Sequence, residues 1–279
     1  MPASHDSAYV RVEEQNLHYL VAGEGPPLLL LHGWPTSSFL WRHTLAPLAR
    51  AHRVFALDLP GFGRSDKPRS ASYSFRFYER ALEGFLDALE LADVGLAVHD
   101  LGGPVGLYWA LRHQQRVRKL ALLNTLVYPQ PSWAVVAFVA ASYLPGLRSL
   151  LVSPRGLRWA MELGVADRSR LTEEAILGVQ APFRDASARA ALLKTAHSLH
   201  PAGMKEIAER LPTYRGPVRI IYGAKDRILP DVAKTMARVQ RDLPQAQLTR
   251  LADCGHFLQE ERGEEIGELL AEFFAEGPR

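Results

Sequence analysis

Apolar and polar residues alternate near the N-terminus and form continuous apolar runs further along the chain. The alternation at residues 9–12 and 17–21 predicts two antiparallel strands joined as a hairpin. Short apolar runs follow at residues 28–31, 54–57, 94–98, 120–123 and 218–222. Runs of this kind are typical of parallel strands whose two faces are both covered.

Helical patterns separate these runs, notably at residues 78–91, 105–113 and 232–239. Because helices that alternate with parallel strands cover both faces of the sheet, this order predicts an α/β fold with a mostly parallel, doubly wound sheet. Sheets of this kind bind ligands at the carboxyl ends of their strands. Residues that directly follow the strands are therefore the first candidates for function.

Residues 128–211 interrupt the strand–helix alternation. This stretch contains several amphipathic helical patterns broken by prolines, and no convincing strand. It begins after one predicted strand and ends before the next, at the sheet edge where ligands bind. We therefore expect a core formed by residues 1–127 and 212–279, and a helical cap subdomain, residues 128–211, over the active site.

Composition and charge narrow the possible partners. The 279 residues are 47% apolar, and 33 Lys and Arg against 30 Asp and Glu leave a net charge of +3. No run of five like charges concentrates that excess, so no nucleic-acid partner is expected. The longest apolar stretch, residues 133–144, is too short to span a bilayer, and the N-terminus lacks an apolar signal core. We expect a cytoplasmic protein with no membrane partner and, since Cys254 is the only cysteine, no disulfide.

Residues 94–106 predict a strand, a tight turn flanked by glycines and then a helix, with Asp100 at the turn. In a nucleophile elbow, small neighbours let the turn push the central side chain outwards. A carboxylate at the N-terminus of a helix is kept ionised by backbone N–H groups and the helix dipole, so it can attack carbon directly. The alternative interpretation is an Asp that caps an ordinary helix.

Further candidate site residues follow other predicted strands, and their order along the chain indicates the class of enzyme. The turn at residues 32–35 predicts an oxyanion hole whose donors are the backbone amides of Trp34 and Leu101, although it also suits a rigid loop. Asp226 follows another strand, and His256 lies in a loop near the C-terminus. The chain order of nucleophile, acid and base matches the α/β-hydrolases and differs from chymotrypsin and subtilisin.

Four segments together resemble the aspartate-nucleophile branch of the α/β-hydrolases, and most closely the haloalkane dehalogenases, which are related to epoxide hydrolases. They are residues 32–42, 58–68, 99–103 and 255–260. The resemblance implies an α/β-hydrolase fold with a helical cap inserted, a small apolar organic substrate, water as co-substrate, and no cofactor or metal. It also implies that Asp100 displaces a leaving group to form an alkyl-enzyme ester, which His256, oriented by Asp226, hydrolyses.

Two positions depart from the dehalogenase pattern. The family usually carries Trp after the nucleophile and Asn after His-Gly, and both side chains donate N–H groups to the departing halide; here they are Leu101 and Trp34. Losing one such donor typically costs roughly 10²–10³ in rate. An indole from Trp34, Trp133 or Trp159 is a candidate replacement. The candidate lining of the leaving-group and substrate pocket consists of Trp34, Trp133, Trp159, Phe183 and Phe257.

Several alternatives stay open. An epoxide hydrolase needs cap tyrosines, for which only Tyr128 and Tyr143 are candidates. Residues 96–100 with Asn124 and Thr125 also resemble the β-lactone decarboxylases. A carboxylic-ester hydrolase is disfavoured, because attack by Asp on an acyl carbon gives an anhydride. Outside the enzymes, a non-catalytic ligand-binding protein on a hydrolase scaffold is the competing class. The leaving group, the stereochemistry and the oligomeric state are open.

Overall fold

A computed structural model describes residues 5–130, 132–197 and 200–275. Within these residues one sheet has the strand order β1-β2-β4-β3-β5-β6-β7-β8. The strands β1 and β2 pair antiparallel, as do β2 and β4, and all other neighbours pair parallel. The bounds are β1 Asp6–Val12, β2 Gln15–Ala22, β3 Pro27–Leu31, β4 Arg53–Leu57, β5 Val94–Asp100, β6 Val117–Thr125, β7 Val218–Gly223 and β8 Gln247–Leu251. The predicted hairpin and the mostly parallel sheet are confirmed.

Alternate residues of the central strands enter two cores, one on each face of the sheet. In β3, Leu29 and Leu31 belong to one apolar cluster, whereas Leu28 and Leu30 belong to the other. All four side chains are fully buried. This follows from the two-residue period of a strand, and it explains why the run is apolar throughout.

Helices cover both faces of the sheet. The bounds are α1 Leu45–Leu48, α2 Phe75–Ala88, α3 Gly102–Ala110, α4 Trp133–Tyr143, α5 Pro145–Leu151, α6 Pro154–Gly164, α7 Glu173–Gln180, α8 Ala186–Thr195, α9 Pro201–Arg210, α10 Val232–Asp242 and α11 Leu258–Ala275. Helix α2 begins three residues earlier than predicted, because the Ser74 hydroxyl accepts a hydrogen bond from the Phe77 amide. It also ends earlier, before Glu90, which has a positive φ of 56°.

The chain between β6 and β7 forms α4 to α9 and, in its described part, no strand. The division into a core and a cap subdomain stays a prediction. Residues 131 and 198–199 of this stretch lie outside the described residues. No single helix in the described part is long and apolar enough to cross a membrane. Taken together, helices α4 and α5 have the length and the apolar composition of a membrane span, but they meet at a bend of 114°.

Candidate active site

Asp100 lies at the turn between β5 and α3 with a φ of 49°, in the left-handed region. The turn is tight because its glycines approach neighbouring strand ends. A Cβ on Gly102 would lie 2.4 Å from the carbonyl oxygen of His32, and one on Gly103 would lie 1.5 Å from Oγ1 of Thr125. The Thr125 hydroxyl donates a 2.6 Å hydrogen bond to the backbone oxygen of Asp100. The predicted elbow is therefore present, and its small residues have a steric reason.

Two backbone amides hold the Asp100 carboxylate. The Trp34 amide donates to Oδ1 of Asp100 at 2.7 Å, and the Leu101 amide also hydrogen bonds to the carboxylate. A Cβ on Gly33 would lie 2.3 Å from the same Oδ1, so only glycine leaves room for this approach. The two amides are those expected of an oxyanion hole. In this structure both amides interact with the Asp100 carboxylate.

His256 lies between two carboxylates. Its Nδ1 is 2.8 Å from Oδ2 of Asp226, and both side chains are fully buried. The other oxygen of Asp226 accepts hydrogen bonds from the amides of Ile228 at 2.8 Å and Leu229 at 2.7 Å. On the opposite side of the ring, Nε2 lies 3.5 Å from Oδ2 of Asp100 and has no hydrogen-bond partner among the described residues. The structure therefore brings together all three side chains predicted from separate strand ends.

The charges of these groups are strongly coupled. Burial alone would lower the pKa of His256, but Asp226 and Asp100 outweigh burial and raise it to about 10. Burial opposes the ionisation of Asp100, yet the nearby His256 lowers the pKa of this carboxyl below its ordinary value. Burial and the positive charge of His256 lower the pKa of the neighbouring His99 to about 4. The site therefore holds Asp100 as a carboxylate and His99 as a neutral ring at neutral pH.

Asn124 is a site residue whose contacts the sequence did not reveal. Its side-chain amide donates to Oδ2 of Asp226 at 2.7 Å and to the Gly255 carbonyl at 3.2 Å. Its side-chain oxygen accepts from the Gly223 amide at 2.8 Å. Asn124 thus ties the acid to the loop before His256. Asn124 lies at the carboxyl end of β6, beside β5 and β7, and this position could have indicated that it belongs to the site.

Glu261 is the second residue that the sequence analysis missed. Its Oε1 accepts hydrogen bonds from the amides of Ala166 at 2.9 Å and Asp167 at 3.0 Å, just beyond α6. Its Oε2 accepts from the Gly255 amide at 2.6 Å and from the Cys254 thiol at 3.6 Å. Glu261 therefore fastens the loop that carries His256 to the helical insertion.

Three of the predicted pocket residues do not offer the expected indole donor. The Trp34 indole Nε1 donates to the Leu192 carbonyl at 3.1 Å, so this N–H is already used. Trp133 and Trp159 are 75% and 56% exposed, which does not fit the expectation that they line the leaving-group and substrate pocket. Sequence could not reveal this, because the packing partners of a helix decide which apolar side chains it buries.

The two predicted pocket phenylalanines are buried. Phe257 packs edge-on against His256 with ring centroids 4.9 Å apart, and Phe183 belongs to the larger apolar core. The candidate tyrosines are engaged elsewhere. The Tyr128 hydroxyl donates to Asp242 at 2.7 Å, and the exposed Tyr143 ring stacks on His197 at 4.4 Å.

Metal ligands are not grouped in the part of the chain that the structure describes. No cluster of three or more His, Cys, Asp or Glu side chains has the arrangement of a metal site there. The only cysteine, Cys254, is buried beside a carboxylate, and burial raises the pKa of its thiol. A neutral thiol is a poor nucleophile and a poor ligand.

A parallel sheet of this order, with an acidic side chain on a positive-φ turn facing a histidine, defines an α/β-hydrolase. A family model described as "alpha/beta hydrolase fold" matches residues 26–263, and the chain belongs to this family of hydrolases. It is 36% identical to a haloalkane dehalogenase of Mycolicibacterium paratuberculosis over 91% of this chain and 86% of the relative. It is 29% identical to a cis-3-alkyl-4-alkyloxetan-2-one decarboxylase of Shewanella oneidensis over 93% and 85%. The solved haloalkane dehalogenase DatA from Agrobacterium tumefaciens superposes with a TM-score of 0.84 at 27% identity, covering 96% of both chains.

Proposed function

We propose that the protein is a haloalkane dehalogenase-like hydrolase in which Asp100 attacks a saturated carbon and His256, oriented by Asp226, hydrolyses the resulting ester. The observation that carries the proposal is the position of Asp100, with one carboxylate oxygen 2.7 Å from the Trp34 amide and the other 3.5 Å from the His256 ring. A carboxylate held in this way is ionised, buried and aimed at a histidine, as covalent catalysis requires.

In the first step, Oδ2 of Asp100 forms the new bond to carbon and the leaving group departs with the electron pair of its own bond. Oδ1 stays against the Trp34 amide, and the Leu101 amide lies close to the same carboxyl group. In the second step, water attacks Cγ of the ester and gives a proton to Nε2 of His256. The negative charge collects on Oδ1, where the amides stabilise it. The alcohol then leaves with Oδ2 and takes that proton from the histidine. The new carboxylic acid of Asp100 passes its own proton to Nε2 of His256, which restores the carboxylate and the protonated ring of the free enzyme.

The charge of Asp100 determines when His256 can act as a base. In the free enzyme His256 lies between two carboxylates, its pKa is raised to about 10, and the ring is protonated at neutral pH. Ester formation removes the charge of Asp100, so the pKa of His256 falls and the ring releases its Nε2 proton to solvent. The neutral ring can then accept a proton from the attacking water. The chemistry of the first step thus prepares the base for the second.

The helical insertion, residues 128–211, acts in this proposal as a cap over the site. Three contacts support the assignment. Trp34 donates its indole N–H to the Leu192 carbonyl of α8, and its ring packs against Phe138 of α4 with centroids 4.7 Å apart. The His256 amide donates to the Gly164 carbonyl at the end of α6 at 2.6 Å. Both sides of the catalytic group therefore rest against helices of the insertion.

A second candidate follows from the leaving group. Leu101 has no side-chain N–H, and the Trp34 indole is bonded to Leu192, so the donors that usually hold a halide are replaced or engaged. A leaving group that is itself a carboxylate spreads its own charge and depends less on such donors. A β-lactone is a substrate of this kind, which is the class named for the Shewanella oneidensis relative. Epoxide opening has less support, because Tyr128 is bonded to Asp242.

A substrate panel tests the proposal and separates the candidates. Purified protein is given haloalkanes, epoxides, β-lactones and p-nitrophenyl esters, alongside Asp100→Asn and an exposed control, Asp6→Asn. We expect halide release by the wild type and by the control, and none by Asp100→Asn in assays short enough to precede deamidation. Turnover of β-lactones without halide release would favour the second candidate. Equal activity of Asp100→Asn and wild type on every substrate would overturn the role of Asp100.

A trapping experiment tests the two-step mechanism directly. In His256→Gln the first step remains possible, while the base for the second is missing. We expect the alkyl ester to accumulate, and mass spectrometry of the peptide that contains Asp100 should show the added mass of the alkyl group. An unmodified peptide from an inactive but folded His256→Gln would argue against a covalent intermediate.

A further inference from the structure

Helices α4 and α5 present an apolar face to solvent. The large side chains of this α4–α5 face are 44–75% exposed, and they are Trp133, Val136, Tyr143, Leu144, Leu147 and Leu150. The eleven residues of α4 include no charged side chain, and the only residue of α4 that is buried is Ser142. A group of large exposed apolar side chains on one pair of helices is typical of an interaction site.

The inner side of the same helix fixes its orientation. Phe138 packs against Trp34 with ring centroids 4.7 Å apart, and the Ser142 hydroxyl lies 2.5 Å from Nε2 of His197. Tyr143 stacks on His197. Because α4 is held by these contacts, its outward apolar residues have no alternative core position to occupy.

The charged residues of the chain segment that carries the face are of one sign. Residues 128–161 include three arginines and no Asp or Glu. Arg158 is paired with Glu173 at 2.7 Å. Arg148 and Arg155 are exposed and have no carboxylate partner in the described part of the chain. Two unpaired arginines in the same segment as exposed apolar and aromatic side chains are complementary to anionic lipid headgroups lying over hydrocarbon.

We infer that the α4–α5 face docks on an anionic lipid bilayer, lying in the interface without crossing it. The exposed Trp133 and Tyr143 are of the two residue types enriched at the headgroup level. The bend of 114° between α4 and α5 excludes a continuous span but suits a pair of helices lying on a surface. This inference departs from the sequence-based expectation of no membrane partner, which considered spanning segments.

A second copy of the chain is a less suitable occupant. Two copies that meet through a two-fold axis present the same surface to each other, so each brings Arg148 and Arg155 and no carboxylate from this region. Like charges would then be pressed together while the apolar residues are buried. A bilayer with anionic headgroups instead neutralises these arginines.

Vesicle flotation with the full chain tests the inference. The vesicles contain phosphatidylcholine and phosphatidylglycerol in equal parts, and phosphatidylcholine alone serves as the neutral comparison. We expect the wild type to float with the anionic vesicles. Val136→Glu/Leu147→Glu should lower the partition coefficient by about tenfold or more, because it places two charges among the residues that enter the interface.

A matched variant controls for net charge. Tyr9→Glu/Ala237→Glu makes the same change of charge at exposed positions of β1 and α10, and should change binding by less than about twofold. Arg148→Gln/Arg155→Gln should weaken binding to anionic vesicles by about fivefold per arginine. All variants should keep the wild-type melting temperature, since every substituted side chain is exposed.

Three outcomes would overturn the inference. They are wild-type protein that stays unbound with anionic vesicles, equal flotation of Val136→Glu/Leu147→Glu and wild type, and a wild-type dimer that this variant dissolves while neither protein floats. Asp100→Ala should float like the wild type, so a failure of the proposed chemistry would leave this result unchanged.

Discussion

Strand β5 and helix α4 are both rich in apolar residues, yet the protein buries one and exposes the other. Every residue of β5 is buried, including Asp100 at its end, because β3 and β6 pair with it and helices cover both its faces. Helix α4 packs on one side only, through Val135, Phe138 and Ser142, and its opposite side, with Trp133 and Val136, is exposed. Apolar content therefore predicts where a segment can be buried, and the number of packing partners decides whether it is.

The difference extends to polar groups. At the end of β5 nearly every polar atom of the site has a partner, since Asp100, Asp226 and Asn124 together engage amides, a hydroxyl and an imidazole. Such a network tolerates little change, because an unpartnered buried group costs free energy. The exposed side of α4 has no such network, and we expect substitutions there to affect neither stability nor turnover.

The largest expected effect comes from adding one methyl group beside the nucleophile. Gly33→Ala would place a Cβ 2.3 Å from Oδ1 of Asp100, so the carboxylate or the amide of Trp34 must move. Misplacing an oxyanion-hole donor costs roughly 10²–10³ in kcat. The measurement is the initial rate on the best substrate of the panel. Gly146→Ala in α5, where nothing lies within 4 Å of the added Cβ, is the control and should retain full activity.

Second in size is the loss of a buried side chain from β5. Leu96 is fully buried in the larger apolar core. Leu96→Ala should lower the free energy of unfolding by about 2–5 kcal/mol through lost transfer free energy and the cavity that remains. Urea denaturation at equilibrium measures it. A loss below about 1 kcal/mol would mean that β5 is less tightly packed than its burial indicates.

A third prediction concerns the link between the two regions. Glu261→Gln replaces an oxygen that accepts amide hydrogen bonds with an NH₂ group, and so leaves at least one buried donor of the Gly255 or Ala166 backbone unpaired. We expect a loss of about 1–3 kcal/mol in stability. Because Gly255 precedes His256, kcat should also fall while KM changes little.

The matched comparison for that variant is Glu264→Gln, which makes the same change of charge three residues further on, beyond the break in α11 at Arg262. Glu264 has no hydrogen bond to the His256 loop among the described residues. A fall in stability without any change in kcat for Glu261→Gln would assign Glu261 a structural role only. An unchanged kcat and an unchanged stability together would remove the link between the His256 loop and the helical insertion.

The sequence predicted the site better than the helical insertion for a physical reason. Parallel strands deliver their carboxyl ends to one edge of the sheet, so the order of Asp100, Asp226 and His256 along the chain was enough to predict their meeting. No such rule orients a helix of the insertion. The engagement of the Trp34 indole by Leu192 and the exposure of Trp133 depend on contacts between distant residues, and local periodicity does not encode them.

The smallest expected effect on stability concerns the exposed apolar side chains of α4 and α5. Leu150 of α5 is 52% exposed, and its side chain belongs to none of the apolar core clusters of the described residues. Leu150→Ala should therefore change the free energy of unfolding by no more than about 0.5 kcal/mol, the range of ordinary surface substitutions. The same urea titration that measures Leu96→Ala provides the value. A loss of 2 kcal/mol or more, on the scale of about 2–5 kcal/mol for buried leucines, would show that α5 packs against a surface in solution even without lipid. In that event the α4–α5 face would be covered by protein. Strand β5 and helix α4 would then both be buried, and they would differ only in what buries them.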